Sequence, residues 1–529
     1  MMKIIGKLNF ILIIFVILYS TVASGMCITE LNTFQSIEGD NSACFIKPYN
    51  RSFYDSFFPI RDWEGGYDEY QSGLEPYGER GTISWALSQY LHSEVLMYKA
   101  TQDPIYLNRV IDVIDKVLDL RDNKVGRINK YGESPPIWCS GSRYGYGKSI
   151  LKNKLEEEVV EVLTYGTWEL DTGVVGELRE WNDDTYITIL KGSLDNTFKI
   201  RIRNDRKSFD RTYDKLTLKK EGIIIDDNSV RITVLKTSDE LPDFKEEEYI
   251  GNILEPYLVG TGLIFTPIIQ LAEEIKQENL NDYYQEKANI YIQAAIEAVE
   301  YHKADWVDLE TSKIETEKRG YYSISIRENY NDKTPLPWNQ MFELGRTLIA
   351  LYDVTNEESY KEQVEKMIEY FKDNLEYDEK NDLYMWKYWN WPGYAVVEST
   401  SYSTLDYAFI YESYKSGIGF TKEDMNRFAN TSRKNIYRED GNISNRIDGT
   451  GGFDGKSRFS LATINFVSEW GDDYFFYKPI EWIEEIDNDK EYDFRKLNAI
   501  ARSIYQKRII DPDFVDITDQ RKIGRYRIK

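Results

Sequence analysis

The sequence predicts a mainly α fold of stacked αα-hairpins arranged in a ring, interrupted by a β-rich insertion. Three observations predict it. Pairs of helices recur in which the first is the more apolar; a Thr-x-acid break separates the two; and in one block the helical rhythm gives way to alternation.

Composition sets the frame. The chain has 529 residues, too many for one ordinary core, and 41% of them are apolar. Ninety acidic residues against 66 basic ones give a formal charge of −24, which repels nucleic acid and anionic membranes over most of the surface. The N-terminus carries Lys3 and Lys7, the apolar stretch "FILIIFVILYS" and small residues in "TVASG". This is signal-peptide anatomy over residues 1–25, and it predicts a secreted protein with no membrane span after signal removal. An uncleaved N-terminal anchor is the alternative. Cys27 and Cys44 can pair, leaving Cys139 free. With His92 and His302 as the two histidines and no metal spacing among the cysteines, neither a metal nor another cofactor is expected. Sequons begin at Asn50, Asn430 and Asn442, and a glycoprotein is expected if the pathway is eukaryotic.

Residues 26–80 lack periodicity and read as an N-terminal extension, and residues 511–529 as a C-terminal tail. The hairpin domain occupies 81–156 and 241–510. Its first unit, "TISWALSQYLHSEVLMYKATQDPIYLNRVIDVIDKVLDLRDN", has apolar residues at three- and four-residue spacing on both sides of "TQDP", where Pro104 opens the second helix. "ATQDPIYLNRV" at 100 and "VTNEESYKEQV" at 354 align almost position for position. Further copies run over 262–302, from Glu398 to about Tyr437, and more weakly over 457–507. Stacked hairpins of this length bury their apolar faces against neighbours. Between them, over 157–240, "YITIL", "FKIRI" and "VRITVL" alternate as half-buried strands do, and "DDNS" can turn one strand into the next.

The inner helices start on polar residues: "GERGTISW", "GTG", "PLPWNQ", "ESTSYS" and "KSRFS". In a ring these starts gather on one rim, where unpaired N–H groups suit an oxygen-rich ligand. Capping alone accounts for Thr82, Ser84 and Ser457. It does not account for Trp338-Asn339-Gln340, or for Glu398 followed by Tyr402. "MWKYWNWPGY" leads into the fourth inner helix, so Trp386, Tyr388, Trp389 and Trp391 are expected beside that rim with at least two ring faces open to a sugar. In an extended segment alternation makes Trp389 and Trp391 the exposed set, on the side of Lys387. Trp85 is a further candidate ring. The expected partner is a polysaccharide or other glycan. Glu398 and Asp406, eight residues apart, are expected about 12 Å apart along a helix, too far for a retaining glycosidase pair. An acid such as Glu79 or Asp454 from another hairpin is the other option for a partner. His92 reads as a packed core histidine.

The hairpins, "LPWNQMFELGRTLIALY", the aromatic connection and "VESTSYSTLDYAF" together resemble the secreted α/α-toroid carbohydrate-active proteins. That group includes polysaccharide lyases, D-glucuronyl C5-epimerases and six-hairpin glycosidases. Where such proteins carry Glu-Asp-x-Ser-His, this chain has Glu398-Ser399-Thr400-Ser401-Tyr402. The resemblance implies an α/α toroid acting on a glycan containing uronic acid by proton abstraction at C5, with Tyr402 as base, Glu398 nearby, and Asn339 and Gln340 holding the substrate carboxylate. Arg346, two turns along from Asn339, joins the substrate-binding set on this reading; a salt bridge with Glu343 competes for it. A non-catalytic glycan-binding or surface protein is the alternative, and a glycoside hydrolase the third reading.

Overall fold

The structure is a computed structural model that describes residues 54–55, 83–129, 131–140, 146–165, 185–204, 209–227, 229–250, 254–309, 318–323, 333–390, 392–437, 443–452, 467, 469–470 and 493–510. The chain forms two compact units, Met1–Ile60 with Asp513–Lys529, and Arg61–Pro512. Residues 54–55 are all that is described of the first, so the expected signal peptide, Cys27, Cys44 and Asn50 lie outside the described residues, as does nearly all of 26–80. The remaining described residues all belong to the second unit.

Nine helices longer than one turn are described there: α1 (Ser88–Thr101), α2 (Pro104–Asp119), α3 (Leu258–Gln277), α4 (Asp282–His302), α5 (Trp338–Thr355), α6 (Glu358–Lys372), α7 (Thr400–Lys415), α8 (Lys422–Thr431) and α9 (Asp493–Ile510). They pair as hairpins α1/α2, α3/α4, α5/α6 and α7/α8. The first member of each is enclosed by neighbours, whereas α2 and α6 carry one apolar stripe (Val110, Val113, Ile114 and Val117 on α2) and a charged outer face.

The repeat seen in the sequence is a repeat in geometry. Gln102 and Asn356, the residues after α1 and α5, both adopt φ 57°, and their N–H groups close on Tyr98 and Tyr352 carbonyls. Thr101 and Thr355 donate their hydroxyls to carbonyls one turn back, Met97 and Leu351. Asp103 then caps α2 by accepting from the Ile105 N–H at 3.0 Å, with Pro104 in the first turn.

The inner helices lie side by side in the order α9, α1, α3, α5, α7 and run parallel. Contacts near the starts match starts, Asn498 donating to Gln89 and a Cβ on Gly260 lying 3.4 Å from Ser84; midway along, Thr266 meets Thr347 at 3.0 Å. Contacts near the ends match ends: Lys99 reaches Glu274 at 3.8 Å, and Ser416 donates to Asp353 at 2.6 Å. Glycine sets the α3–α5 spacing, because a Cβ on Gly262 would stand 2.2 Å from the Glu343 carbonyl carbon. Helix α3 is long and apolar enough to cross a membrane, but 83% of its apolar window is buried in this bundle, as a core helix should be. Residues 453–466, 468 and 471–492, between α7 and α9, lie outside the described residues, and with them the expected hairpin start near Ser457 and any closure of the ring.

The β block is a sandwich. Strands β1 (Tyr146–Lys152), β2 (Glu158–Tyr165), β7 (Val230–Val234) and β6 (Gly222–Asp226) form one antiparallel sheet in that order. Strands β5 (Phe209–Leu216), β4 (Phe198–Asn204), β3 (Thr185–Lys191) and β8 (Lys245–Tyr249) form the other. Val160, Val162 and Ile232 from the first sheet pack with Ile187, Ile200 and Ile202 from the second. The "DDNS" segment does link β6 to β7, with Asp227 Oδ1 accepting from the Ser229 and Val230 N–H groups. The block is wider than 157–240. Strand β1 falls in the segment assigned to hairpins, and β8 ("KEEEY") is a fully exposed, charged edge strand whose side chains hold no hydrophobic period. Two short hairpins complete the described strands, β9 (Trp306–Leu309) with β10 (Arg319–Tyr322), and β11 (Glu376–Asp378) with β12 (Leu383–Met385).

Candidate functional site

The two ends of the inner helices differ. Connections leaving them are short, such as Gln102–Asp103 and Asn356–Glu357, whereas those entering them carry the sandwich before α3, β9/β10 before α5 and β11/β12 before α7. The starts of α1, α3 and α5 and the segment before α7 therefore share a rim with the long connections. Trp389 ties two of these together, its indole N–H donating to the Pro335 carbonyl at 2.5 Å. At the start of α3, the Thr261 hydroxyl meets His302 Nε2 at 2.9 Å. At the start of α5, Asn339 is 3% exposed and its Oδ1 has no hydrogen-bond partner among the described residues, while Gln340 is half-buried. Trp85, in the turn before α1, is also half-buried.

The aromatic connection is mostly packing. Trp386 is 1% exposed, wedged among Phe371, Tyr407 and Phe428. Tyr388 and Trp389, each 7% exposed, both pack on Tyr394. Burial of Trp386 and Tyr388 is that of the packed set expected from alternation; the open face expected on Trp389 is corrected. Strand β12 ends at Met385, so strict alternation stops before the rings begin, and Lys387 reaches water without carrying Trp389 with it. Trp391 lies outside the described residues. The exposed ring is Tyr402, at 41%, whose centroid stands 5.6 Å from that of Tyr388.

Beneath Tyr402 two carboxyl groups meet. Glu398 is not helical: α7 begins at Thr400, with Ser399 as its cap accepting from the Tyr402 N–H at 3.2 Å. Glu398 sits in an extended segment, its N–H on the Trp386 carbonyl and its own carbonyl taking the Ile447 N–H, each at 3.1 Å. Its side chain turns inward, close enough to Asp406 for the two carboxyl groups to be coupled electrostatically. The expected separation of about 12 Å is thus corrected, because helical rise does not apply to a residue ahead of the cap. Neither acid has any exposure. Glu398 Oε1 accepts from the Ser399 N–H at 2.6 Å, and Asp406 Oδ2 from the Trp386 indole at 2.8 Å. The remaining oxygens, Glu398 Oε2 and Asp406 Oδ1, have no hydrogen-bond partner among the described residues. Burial, then repulsion from Asp406, holds Glu398 well above the usual carboxylate range. Burial also pushes Asp406 up to about 7, against the Trp386 hydrogen bond and the pairing with Glu398. At neutral pH the pair retains a proton, since two adjacent buried charges cannot both form.

Arg346 is not on this rim. It lies two turns down α5, 2% exposed, bonded to Glu343 at 3.0 and 3.1 Å and to Glu412 at 2.7 and 2.8 Å. Burial opposes its charge, but the two carboxylates hold it protonated. Its place in a substrate-binding set is corrected to that of the competing salt bridge. It borders a partly open cavity of about 250 Å³ lined by residues of all five inner helices, toward the end opposite the rim. His92 borders it too, 2% exposed with Nε2 unpartnered among the described residues, which differs from an ordinary satisfied core histidine. The Glu343–Arg346 spacing is visible in sequence; Glu412 and Arg502, from other hairpins, leave no local signal.

Among the described residues no group of three or more His, Cys, Asp or Glu could hold a metal, and Cys139 is free and buried. Asn430 lies inside α8 with its amide donating to the Asp382 carbonyl at 2.8 Å, an unsuitable place for a glycan. Glu79, Asp454 and Asn442 lie outside the described residues.

No family model matches the chain, and no curated protein matches it. Among solved structures, one similar chain is an inactive variant of an α-1,6-mannanase of glycoside hydrolase family 76 from Salegentibacter sp. HEL1_6, in complex with α-1,6-mannotriose. It is 12% identical, with a TM-score of 0.30, over 47% of this chain and 76% of that one. Another is a family 76 glycoside hydrolase from a bovine Bacteroides thetaiotaomicron strain, 10% identical with a TM-score of 0.33, over 72% of this chain and 89% of that one. At these scores neither superposition carries an argument about fold or function.

Proposed function

We propose that this chain is a secreted, carbohydrate-active protein that binds a glycan at the long-connection rim and hydrolyses it, with the Glu398–Asp406 pair as its acid. The observation behind the proposal is that shared proton. A glycosidase needs a carboxyl group still protonated near neutral pH to protonate the leaving oxygen, and burial beside a second acid supplies one. Carboxyl groups paired in this way stand closer than the roughly 5–9.5 Å that separates an acid from a nucleophile or base. The pair therefore acts as one acid, and the second carboxylate comes from another connection on the rim. Tyr402 offers the ring face for a sugar, with Gln340 and Trp85 as further contacts and Asn339 as a hydrogen-bonding group.

Proton abstraction by Tyr402 loses support, because Arg346, expected in the substrate-binding set, is spent on Glu343 and Glu412. A second reading keeps an observation in its favour: with neither carboxyl exposed, the rim suits a glycan-binding protein without catalysis. A panel of neutral and uronic-acid polysaccharides, α-1,6-mannan among them, separates the readings. Hydrolysis releases reducing ends; elimination creates an ultraviolet-absorbing unsaturated product; binding alone gives neither.

A further inference from the structure

We infer that the cavity at the C-terminal ends of the inner helices is a second ligand site, built for a small organic acid bearing hydroxyl groups. Two groups on its wall lack full partnering among the described residues. The Arg502 guanidinium makes one hydrogen bond there, from Nε to Asn498 Oδ1 at 3.3 Å, and no ion pair. His92 Nε2 is buried without a hydrogen bond. Arg346 beside them is satisfied by Glu343 and Glu412, so it adds repulsion rather than a counter-charge for Arg502. A half-buried guanidinium with a single 3.3 Å hydrogen bond has donors left at the cavity, and a carboxylate on its planar fork would take them.

The dimensions and the opposite wall give the rest of the ligand. About 250 Å³ holds roughly eight waters at ~30 Å³ each, more room than a bare oxyanion fills. Asp353, Glu273 and Ser416 line the mouth, and each can accept from a hydroxyl. Burial first, then neighbouring acids, raises the pKa of Asp353 and of Glu273, which sharpens the preference for neutral donors there over a second anion. This site is independent of the rim and of the hydrolytic reading.

Titration calorimetry on the full chain with D-glucuronate, D-glucose, acetate and inorganic phosphate tests the inference. Glucuronate should bind, acetate more weakly and glucose not at all; Arg502→Gln should weaken glucuronate at least about tenfold. Ala350→Phe, which fills the cavity without touching a charge, should abolish binding and guards against a misfolded Arg502 variant. Binding of phosphate alone, equal binding of glucose and glucuronate, no carboxylate binding at millimolar concentration, or unchanged affinity in either folded variant would overturn it.

Discussion

The side chains of Glu398 and Asp406 face each other in the interior as a coupled pair, one from the residue ahead of the α7 cap and one from the second turn of that helix. Two buried acids in contact hold a proton that neither would keep in water. That proton links the stability of the rim to pH and, on the proposed reading, is the one delivered to a leaving group.

The pair should make stability fall as pH rises. A carboxyl whose folded pKa is raised contributes stability in full below its unfolded value, about 3.9 for Asp, and loses it as pH climbs through about 7. Asp406→Asn keeps an acceptor for the Trp386 indole and cannot ionise. Its stability relative to wild type should therefore improve between about pH 5 and pH 8, by on the order of a few kcal/mol. Urea unfolding of both proteins across that range gives the difference; a flat difference would show that the pair ionises as free carboxyls do.

Removing the Arg346 side chain should destabilise the bundle without reaching the rim directly. Arg346→Ala leaves Glu343 buried and Glu412 half-buried around a missing cation, at a cost of about 3–5 kcal/mol. Denaturation midpoints measure it. A stable variant with lost glycan affinity would return Arg346 to the substrate-binding role first expected of it.

The packed rings should report on folding. Trp389→Ala removes a ring buried against Tyr394 together with its bond to Pro335, and should cost about 3–5 kcal/mol. Tyr402→Ala, at an exposed ring, should leave stability within about 0.5 kcal/mol and lower glycan affinity. The opposite pattern, in unfolding and glycan-binding assays run on the same samples, would exchange their roles.

Gly262→Ala should be severe for a helix glycine. Its Cβ would meet the Glu343 backbone at 2.2 Å, so α3 and α5 must part, at roughly 1–3 kcal/mol. Gly126→Ala, where nothing lies within 4 Å but φ is +73°, isolates the purely conformational cost for comparison. Equal losses at both, compared by thermal unfolding, would contradict the close helix contact.

The hairpins were legible because both signals that make them are local. An apolar inner helix and a Thr break ending in a left-handed residue occupy contiguous residues, and they recur at 100 and 354. The outer edges of the sandwich were not, since β8 is exposed along its whole length and its pairing with β3 depends on residues far off in sequence. The Glu398–Asp406 contact was half legible: Ser399 is an ordinary helix cap, and reading it as one would have placed Glu398 off the helix. Burial of Trp386 depends on Phe371 and Phe428 from α6 and α8, which no spacing within 385–394 reveals.

Hydrolysis by Asp406→Asn and Glu398→Gln decides whether the buried acids do chemistry. With a glycan that the wild type cleaves, each variant should release reducing ends at least about a hundredfold more slowly while binding the glycan with unchanged affinity. Cleavage at the wild-type rate by either folded variant would contradict an acid role and leave the pair a structural element beneath a binding surface.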